Sequence, residues 1–520
     1  MTKQAALATP HPEAAVAGRE ILQRGGNAID AAVASMMTVC VVMPFAVGIA
    51  GYGGSMVIYL AKENRTIALD FDSRAPLAYR DEPFMSKPEL AQRGYLSVGV
   101  PGVLAGLAEA HRKYGTMPWS DLCQHAIKMA EEGIVIDADF RDYLGRWQKF
   151  VDPVSFKALM PSGKMTETGE RFFQKDHARL LRRIAKDGAG VMYHGEIAKQ
   201  IIRQIHDHGG ILSEEDMSTY KPLWTDPISI NYRGFDVYTP PPPSGGITSL
   251  QILKTLEFFP IGKMKPWSAE YFHHFAEASK LCWQDRARAV GDPDFVKIPY
   301  DWLLSEESAR IKADRIKRGG IVTGDEKLPP GSSHTANVCA ADREGNIVST
   351  TCTQGYLFGS GVVIEGLGLI MGHGMSKFDM VPGHPNAPAP GKRMHHNMSP
   401  AIVIKDRKPV FAVGLPGATK IVSVTAQMIM NVIDFHTTAE ETVVSPRVHT
   451  ENDEPVAVSS KVSDEVIEEL KAMGHEVRRG QDIGGAPTEV AGRANAIVYQ
   501  GDSVSAASGR GPDAAVIVKL

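Results

Sequence analysis

Residues 335–353 read TANVCAADREGNIVSTTCT, two runs of β-branched and small side chains on either side of a polar DREGN turn. This pattern predicts two antiparallel strands joined by a tight turn. If the turn is symmetric, Ala341 faces Ile347 and Thr335 faces Thr353. Two threonine hydroxyls then lie opposite each other at the open end of the hairpin. Taken alone, this arrangement also fits two threonines on an ordinary sheet surface.

A polar segment precedes the hairpin. Residues 319–334 read GGIVTGDEKLPPGSSH, and their glycines and paired prolines are typical of a linker. The sequence before it is mostly helical in pattern, and the sequence after it is mostly β. We therefore predict a large part, residues 1–334, that is mostly helical with part of the sheet, and a small part, residues 335–520, that begins with the hairpin.

Apolar periodicity and turn residues predict the elements of the large part. They are helices at 13–24 and 28–41, strands at 55–61 and 66–71 that form a hairpin, and helical stretches at about 103–148, 178–208 and 268–290.

Residues 31–61 carry no charge, so a membrane span has to be considered there. Pro44 and four glycines, at 48, 51, 53 and 54, interrupt this run. They favour a helix of about a dozen residues, a loop and a strand in a buried core.

Composition narrows the range of partners. The chain has 520 residues with 56 Lys and Arg against 60 Asp and Glu, a net charge of -4 that argues against nucleic acid and anionic membranes. Its five cysteines are an odd number without a C-x-x-C pair, which argues against a disulfide framework and a zinc site. The N-terminus lacks the pattern of a secretory signal, so we expect a cytoplasmic location, although a chain whose signal had been removed would look the same.

Two loops in the remaining sequence favour binding roles. Residues 414–419, GLPGAT, follow a predicted hairpin (401–404 and 410–413) and open a helix at 420–435, so free backbone N–H groups there would suit an anion or an oxyanion. An ordinary glycine turn would look the same. Residues 240–246, PPPPSGG, predict an ordered loop before a helix, with a plain spacer as the alternative.

Taken in order, these segments resemble the γ-glutamyltransferase family of N-terminal nucleophile hydrolases along nearly the whole chain. The resemblance implies a layered α+β fold of the αββα type, made as one inactive chain that cleaves itself before a threonine into two subunits that remain associated. The matching segments are residues 25–32, 51–54, 100–102, 243–246, 291–293, 342–346, 358–361, 398–400 and 414–419.

The family's processing motif aligns through Asp342 and places the new N-terminus on Thr335, which implies cleavage between His334 and Thr335. The Thr335 hydroxyl would attack the carbonyl of His334, an N-to-O acyl shift would give an ester, and water would release the new N-terminus. The freed α-amine, with a reference pKa of about 7.7 to 8.0, would then act as general base for its own hydroxyl.

The resemblance assigns three further catalytic positions. Thr353 matches a second threonine whose hydroxyl orients the nucleophile, and the amides of Gly417 and Ala418 fall where the family forms its oxyanion hole. Ala418 replaces a usual glycine. The resemblance implies no cofactor and no metal, and it leaves the oligomeric state open, with a dimer of heterodimers as one option.

The substrate positions depart from the family. The arginine that holds the γ-glutamyl carboxylate falls on Asp72, the acid that binds the α-amino group on Ser376, two substrate serines on His396 and Asn397, and a loop asparagine on Gly355. The charge at position 72 is therefore inverted. Since a glutamyl site needs a cation for the carboxylate and an acid for the ammonium, these changes argue against a γ-glutamyl substrate.

Arg74 is the candidate replacement cation, with an ion pair to Asp72 as the alternative. We expect an amidohydrolase for a small carboxylate-bearing amide, similar to the oxamate amidohydrolase-like subgroup. The alternatives are a γ-glutamyltransferase or glutathione hydrolase, and a catalytically silent binding protein of the same fold. A nucleotide-binding role for residues 51–54 is disfavoured, because neither G-x-G-x-x-G nor G-x-x-x-x-G-K-[ST] is present.

Overall fold

The computed structural model describes residues 4–324, 334–480, 493–501 and 503–519. Most of the predicted linker, residues 325–333, lies outside the described residues.

The described strands form two large antiparallel sheets and several short pairings. In chain order they are β1 Gln4–Ala8, β2 Gly53–Leu60, β3 Arg65–Asp70, β4 Ile134–Val135, β5 Arg171–Phe172, β6 Leu223–Thr225, β7 Ile228–Tyr232, β8 Phe235–Thr239, β9 His334–Ala341, β10 Ile347–Gly355, β11 Val363–Ile364, β12 Leu369–Ile370, β13 Ala401–Lys405, β14 Lys408–Gly414, β15 Val448–His449, β16 Val456–Val458, β17 Val477–Arg479, β18 Asn495–Gln500, β19 Ser503–Ser508 and β20 Ala515–Lys519.

The α-helices lie mainly between and outside these strands. In chain order they are α1 Pro12–Gln23, α2 Ala28–Val42, α3 Asp81–Phe84, α4 Val103–Tyr114, α5 Trp119–Glu132, α6 Ala138–Gln148, α7 Pro153–Leu159, α8 Lys175–Asp187, α9 Gly195–Asp207, α10 Glu214–Thr219, α11 Gly246–Leu256, α12 Ala269–Ala289, α13 Tyr300–Leu303, α14 Glu306–Lys317, α15 Lys420–Asp434, α16 Ala439–Val444 and α17 Asp464–Ala472.

The two sheets pack face to face between two layers of helices. The seven-stranded sheet has the order β20-β1-β9-β10-β2-β3-β6, and the six-stranded sheet has the order β19-β18-β14-β13-β8-β7. Their facing sides meet through Val57 and Ile347 from the first and Ile402 and Ile497 from the second. Helices α1, α2, α4 and α5 cover the outer side of the first sheet, and α11, α12 and α15 cover the second. The predicted αββα fold is confirmed.

The parts on either side of Thr335 share both sheets. In the first sheet β9 and β10 lie between β1 and β2, and in the second sheet β13 pairs with β8. Every such pairing is a set of backbone hydrogen bonds and apolar contacts across the proposed cleavage point. Two subunits produced by cleavage there would be held together by their shared sheets.

The hairpin has the predicted register. Ala341 pairs with Ile347, and Thr335 pairs with Thr353. Beyond Thr353 the pairing shifts at a bulge, so that Gly355 faces His334. A bulge bends a strand and redirects its side chains, and it here lies at the end of the hairpin that carries the threonines.

Asp342 fixes the turn of this hairpin. Its carboxylate accepts hydrogen bonds from the backbone N–H of Glu344 at 3.0 Å and of Asn346 at 2.9 Å. It also accepts from the backbone N–H of Ala28 at 3.0 Å, at the start of α2. The turn is thereby tied to the N-terminus of a buried helix, where a carboxylate is favoured.

The predicted elements of the large part are confirmed with small shifts of their ends. Residues 31–61 form most of α2, a loop and β2, and every residue of α2 is buried. The stretches predicted as helical at 103–148 and 178–208 are divided by turns into α4, α5 and α6 and into α8 and α9. Gly115 and Gly188 end α4 and α8, since glycine readily leaves the helical conformation.

Candidate active site

The open end of the hairpin holds a short chain of hydrogen bonds. The Thr335 hydroxyl donates to the Thr353 hydroxyl at 3.2 Å, and the Thr353 hydroxyl donates to the carbonyl oxygen of His334 at 2.7 Å. The backbone N–H of Gly355 donates to the same Thr353 oxygen at 2.8 Å. The one proton and two accepting lone pairs of the Thr353 hydroxyl are therefore all used.

These hydrogen bonds surround the peptide bond between His334 and Thr335. The His334 carbonyl, which would carry negative charge if a nucleophile added to it, already accepts a hydrogen bond from Thr353. Thr335 is buried, and its hydroxyl belongs to the residue that follows that carbonyl. A hydroxyl beside a polarised carbonyl is the geometry that an N-to-O acyl shift requires.

Glycines at 51 and 53 allow the loop before β2 to lie against the hairpin. A Cβ atom at Gly51 would lie 2.7 Å from the backbone oxygen of Thr353, and one at Gly53 would lie 2.5 Å from the Cα of Asp72. Either contact is too close for a side chain. These glycines bring Asp72 next to the strand that carries Thr353, since Gly53 pairs directly with Thr353.

The 414–419 turn begins beside the same strands. A Cβ atom at Gly414 would lie 2.0 Å from the side-chain nitrogen of Asn337, two residues after Thr335. Gly417 has φ of +146° and Ala418 has φ of +55°. Among the described residues, neither amide N–H has a hydrogen-bond acceptor. The turn therefore offers two free backbone donors, as the sequence predicts.

Asp72 forms a buried ion-pair contact with His396. The Nδ1 of His396 accepts a hydrogen bond from the backbone N–H of Met398 at 3.2 Å, so its Nε2 carries the proton and faces the Asp72 carboxylate. Burial lowers the pKa of His396 to about 3 and raises the pKa of Asp72 well above its usual range, and Arg393 opposes the rise at Asp72. His396 is therefore neutral, burial disfavours a negative charge on Asp72, and the contact is a hydrogen bond from Nε2 to the carboxyl group.

Arg393 holds this pair in place through three carboxylates. Its guanidinium contacts Asp70 at 2.6 Å, Asp292 at 2.6 Å and Asp294 at 3.0 Å. Asp70 in turn accepts the backbone N–H of Asp72 at 2.9 Å. This network joins the segment after β3 to the segment that carries His396.

Gly355 leaves room for a histidine. A Cβ atom at Gly355 would lie 1.5 Å from Nε2 of His373, so that ring fills the space of a side chain at position 355. His373 Nε2 accepts the backbone N–H of Tyr356 at 2.6 Å, and its Nδ1 lies 3.2 Å from the carbonyl of Gln92. His373 therefore occupies the space of the asparagine that the family resemblance places at position 355.

The remaining predicted substrate positions, Ser376 and Asn397, have different surroundings. Ser376 is buried, and its hydroxyl has no hydrogen-bond partner among the described residues. The Asn397 side-chain oxygen accepts from Nη2 of Arg286 at 3.2 Å, and the same nitrogen donates to the carbonyl of His396 at 2.8 Å. Asn397 is thus held from behind by a buried arginine.

The 240–246 loop supports the same segment. The N–H of Gly245 donates to the carbonyl of Met398 at 3.1 Å, and the N–H of His396 donates to the carbonyl of Pro243 at 3.0 Å. The predicted ordered loop therefore positions His396.

Arg74 takes neither of its two expected positions. The ion pair of Asp72 is with His396, and Arg74 lines a cavity of about 210 Å³ together with Leu77, Asp216 and Tyr220. The lining of this cavity includes neither threonine of the hairpin. The backbone of Arg74 forms an isolated β-bridge with Arg393.

Sequence reasoning missed three side chains around this pocket: His373, Lys377 and Arg286. Lys377 directly follows Ser376, and its nitrogen lies 4.6 Å from the centre of the Tyr356 ring. A charged residue adjacent to an altered substrate position was the available signal for Lys377. His373 and Arg286 act through contacts between distant segments, which a single sequence does not display.

One group of side chains in the described part of the chain has a metal-like arrangement. The ligand atoms of Glu277, Glu454 and His475 lie within 4.8 Å of one another. The ammonium of Lys280 contacts Glu277 at 2.8 Å and also contacts Glu454. Lys280 already supplies the positive charge that a cation would bring.

The fold and the hairpin define this protein as an autoprocessed N-terminal nucleophile amidohydrolase. The model of the gamma-glutamyltranspeptidase family matches residues 14–518, and the chain belongs to that family. It is 34% identical to a glutathione hydrolase proenzyme of Bacillus subtilis (strain 168) over 501 residues, which cover 91% of this chain and 85% of that protein. It is 36% identical over 519 residues to the acylase ACY 1 proenzyme of Pseudomonas sp. (strain SE83), covering 95% and 90%.

Solved structures agree with this assignment. A cephalosporin acylase from Bacillus halodurans is 29% identical and superimposes with a TM-score of 0.88 over 99% of this chain and 96% of that one. A gamma-glutamyltranspeptidase from Helicobacter pylori is 35% identical with a TM-score of 0.56, covering 61% and 92%. In the described ranges, none of the helices has the length and apolarity that a membrane crossing requires.

Proposed function

We propose that this chain cleaves itself between His334 and Thr335 and then uses Thr335 to hydrolyse a small amide that carries a carboxylate. The observation that carries the proposal is the contact of Thr353 with both the Thr335 hydroxyl, at 3.2 Å, and the His334 carbonyl, at 2.7 Å. One hydroxyl thus touches the candidate nucleophile and the bond to be broken.

Self-cleavage would proceed in two steps. The Thr335 oxygen adds to the carbonyl carbon of His334, the C–N bond breaks, and the proton of the hydroxyl passes to the nitrogen, which leaves an ester and a free amine. Water then hydrolyses the ester, giving a carboxylate on His334 and an N-terminal Thr335. Thr353 stabilises the oxyanion of the first step, because its hydroxyl already donates to that oxygen.

Turnover would use the same oxygen. The α-amine of Thr335 takes the proton of its own hydroxyl as the oxygen adds to the substrate carbonyl, and the amides of Gly417 and Ala418 receive the oxyanion. The proton then passes to the leaving nitrogen, and the C–N bond of the substrate breaks. Water hydrolyses the acyl-enzyme and restores Thr335.

The pocket favours a short acyl group without an ammonium. Position 72 carries a carboxyl group that contacts His396 in place of an arginine, and Ser376 has no charge to hold an amino group. An oxamate-like amide needs neither an arginine at position 72 nor an acid at position 376. Hydrolysis of γ-glutamyl compounds is the second candidate, supported by relatives that are named glutathione hydrolases.

A substrate series tests the proposal. Purified, cleaved enzyme would be assayed for ammonia release from oxamate, malonamate, succinamate and glutaramate, and for hydrolysis of glutathione and of a γ-glutamyl anilide. We expect at least one monoamide to exceed the γ-glutamyl compounds by about a hundredfold in kcat/KM, since two charge-assisted contacts are missing for the latter. Faster turnover of glutathione would overturn the substrate assignment, and no turnover of any substrate would favour a silent binding protein.

A further inference from the structure

Lys377 directly follows Ser376 and lies against the ring of Tyr356, near the open end of the hairpin. On one side its nitrogen is 4.6 Å from the centre of the Tyr356 ring, and Tyr356 follows Gly355, whose N–H donates to the Thr353 hydroxyl. Its side chain is half-buried. Three residues, Tyr356, Gly355 and Thr353, therefore link this lysine to the candidate nucleophile.

On the other side, the carboxylate of Glu451 acts electrostatically on Lys377. The carboxylate of Glu451 lies 3.7 Å from Nε2 of His449, which lies 3.3 Å from the Thr419 hydroxyl. Thr419 directly follows the two residues that offer free backbone N–H groups. Burial lowers the pKa of Lys377 to about 8, and Glu451 opposes that shift.

A second cation lies on the same side of the pocket. Arg286 is fully buried and donates from Nη2 to the His396 carbonyl at 2.8 Å, while its Nε and Nη1 have no hydrogen-bond partner among the described residues. His395 lies within the electrostatic reach of both Arg286 and Lys377, which help to lower its pKa after the larger effect of burial. Two cations, Arg286 and Lys377, therefore act on His395, with the carboxylates of Asp379 and Glu451 acting in turn on Arg286.

We propose that Lys377 binds the carboxylate of the substrate, with Arg286 adding to the positive potential behind it. This inference rests on the proposed function and names the acyl group more closely: a dicarboxylic acid monoamide whose free carboxylate lies away from the scissile bond. Arg74 does not take this role, because it lines a separate cavity. Position 72 offers a carboxylate no cation, because Asp72 contacts a neutral His396, so the anion is directed toward the Ser376 and Lys377 side.

Two substrates that match in length and differ in charge test the inference. Succinamate and butyramide have the same length and differ in a carboxylate against a methyl group, so the ratio of their kcat/KM values isolates the contribution of the charge. We expect Lys377→Gln to reduce this ratio by about tenfold to a hundredfold, mainly through KM for succinamate, and Lys377→Arg to retain most of it. Arg74→Gln is the matched control, and we expect it to leave the ratio unchanged.

The pH dependence of this ratio provides a second measurement. A lysine whose pKa is lowered to about 8 is charged below that pH and neutral above it, so the succinamate-to-butyramide ratio should fall as the pH is raised through 8. His373 and His395 also face Lys377, but burial lowers their pKa values well below the ordinary range, and burial raises that of Tyr356. The α-amine of Thr335, with a reference pKa of about 7.7 to 8.0, is a second cation that titrates in this range. The same profile is therefore measured in Lys377→Gln, and the fall that belongs to Lys377 is the part that this variant lacks.

The outcomes separate the two claims. If wild-type enzyme hydrolyses succinamate and the ratio survives Lys377→Gln, or falls instead in Arg74→Gln, the role of Lys377 is overturned while the proposed function stands. A ratio that stays constant through pH 8 would contradict the role of Lys377 in the same way. If wild-type enzyme hydrolyses only γ-glutamyl compounds, the proposed function itself fails.

Discussion

The open end of the hairpin and the pocket beside it follow different physical rules. At the hairpin, Thr335, Thr353 and Gly355 are joined by short hydrogen bonds between hydroxyls and backbone groups. In the pocket, Asp72 is paired with His396, and Lys377 faces Glu451. The hairpin arrangement depends on the pairing register of two strands, so few other residues could replace its members. The pocket consists of charged and polar groups in contact with one another, and such groups can be replaced together.

This difference explains why substrate positions depart from the family while the hairpin does not. A hydroxyl with one donated and two accepted hydrogen bonds has no spare capacity, so any change at Thr353 leaves a buried group unsatisfied. A carboxylate at position 72 is tolerated because His396 changed with it. Substitutions in the two regions should therefore have separable effects on self-cleavage and on substrate preference.

The largest expected effect is at the nucleophile. Thr335→Ala removes the only oxygen proposed to attack either bond, so the chain should remain a single polypeptide of 520 residues. Amidase activity should fall by at least about a thousandfold. Denaturing gels should show fragments of 334 and 186 residues for the wild type and one band for the variant. Thr335→Ser keeps a hydroxyl and should still cleave, and an active Thr335→Ala enzyme would contradict the mechanism.

A smaller effect is expected at Thr353. Thr353→Val removes the hydroxyl that donates to the His334 carbonyl at 2.7 Å while keeping the shape of the side chain. Loss of one oxyanion donor should slow self-cleavage by roughly a hundredfold to a thousandfold. The time course of cleavage after synthesis measures this rate.

Thr350→Val is the matched control for that substitution. Thr350 lies buried on the same strand, and its hydroxyl makes only a long hydrogen bond of 3.4 Å to the carbonyl of Ser55 and a sulfur contact to Cys352. It should cleave at the wild-type rate. Equal rates for the two valine variants would remove Thr353 from the mechanism.

For a substitution in the pocket, we predict a change in folding stability and no change in the extent of self-cleavage. Asp72→Ala leaves the Nε2 proton of the neutral His396 without an acceptor, and an unsatisfied buried donor costs about 1 to 3 kcal/mol of unfolding free energy. Self-cleavage should still reach completion, because no atom of Asp72 belongs to the hydrogen bonds around Thr353. Asp72→Asn retains an acceptor and should lose less. A cleavage defect as large as that of Thr353→Val would erase the distinction between the two regions.

Much of the hairpin could be predicted from the sequence because its geometry is local. A short polar turn with Asp342 and Asn346 fixes the register, and the register alone brings Thr335 opposite Thr353. The bulge that moves Gly355 opposite His334 was not predictable from a symmetric turn. It depends on the loop that follows β10 and on the ring of His373 behind it.

The pocket could be predicted only as a set of altered positions. The sequence indicated that Asp72, Ser376 and His396 differ from the family, but not that Asp72 and His396 contact each other across more than three hundred residues. It also favoured Arg74 as the cation, since that residue is close to Asp72 in the chain. Residues i and i+2 of a regular strand lie on one face, but Asp72 and Arg74 lie in the irregular segment after β3, and the cavity that Arg74 lines is not lined by Asp72.

The smallest predicted effect concerns Ala418, which joins the two regions. Ala418 has φ of +55°, in the left-handed region where an alanine costs about 1 to 2 kcal/mol, and the family resemblance places a glycine there. Ala418→Gly removes this strain but also gives the unfolded chain more freedom, an opposing term of about 0.5 to 1 kcal/mol. The net gain in unfolding free energy should therefore be at most about 1.5 kcal/mol. It should be measured by denaturant titration in the uncleaved Thr335→Ala chain, where subunit dissociation cannot contribute.

If the wild-type alanine stores strain to aim its N–H at the oxyanion, Ala418→Gly in the cleaved enzyme should lower kcat slightly while stability rises. A variant that loses stability would show that the backbone of this turn is not strained.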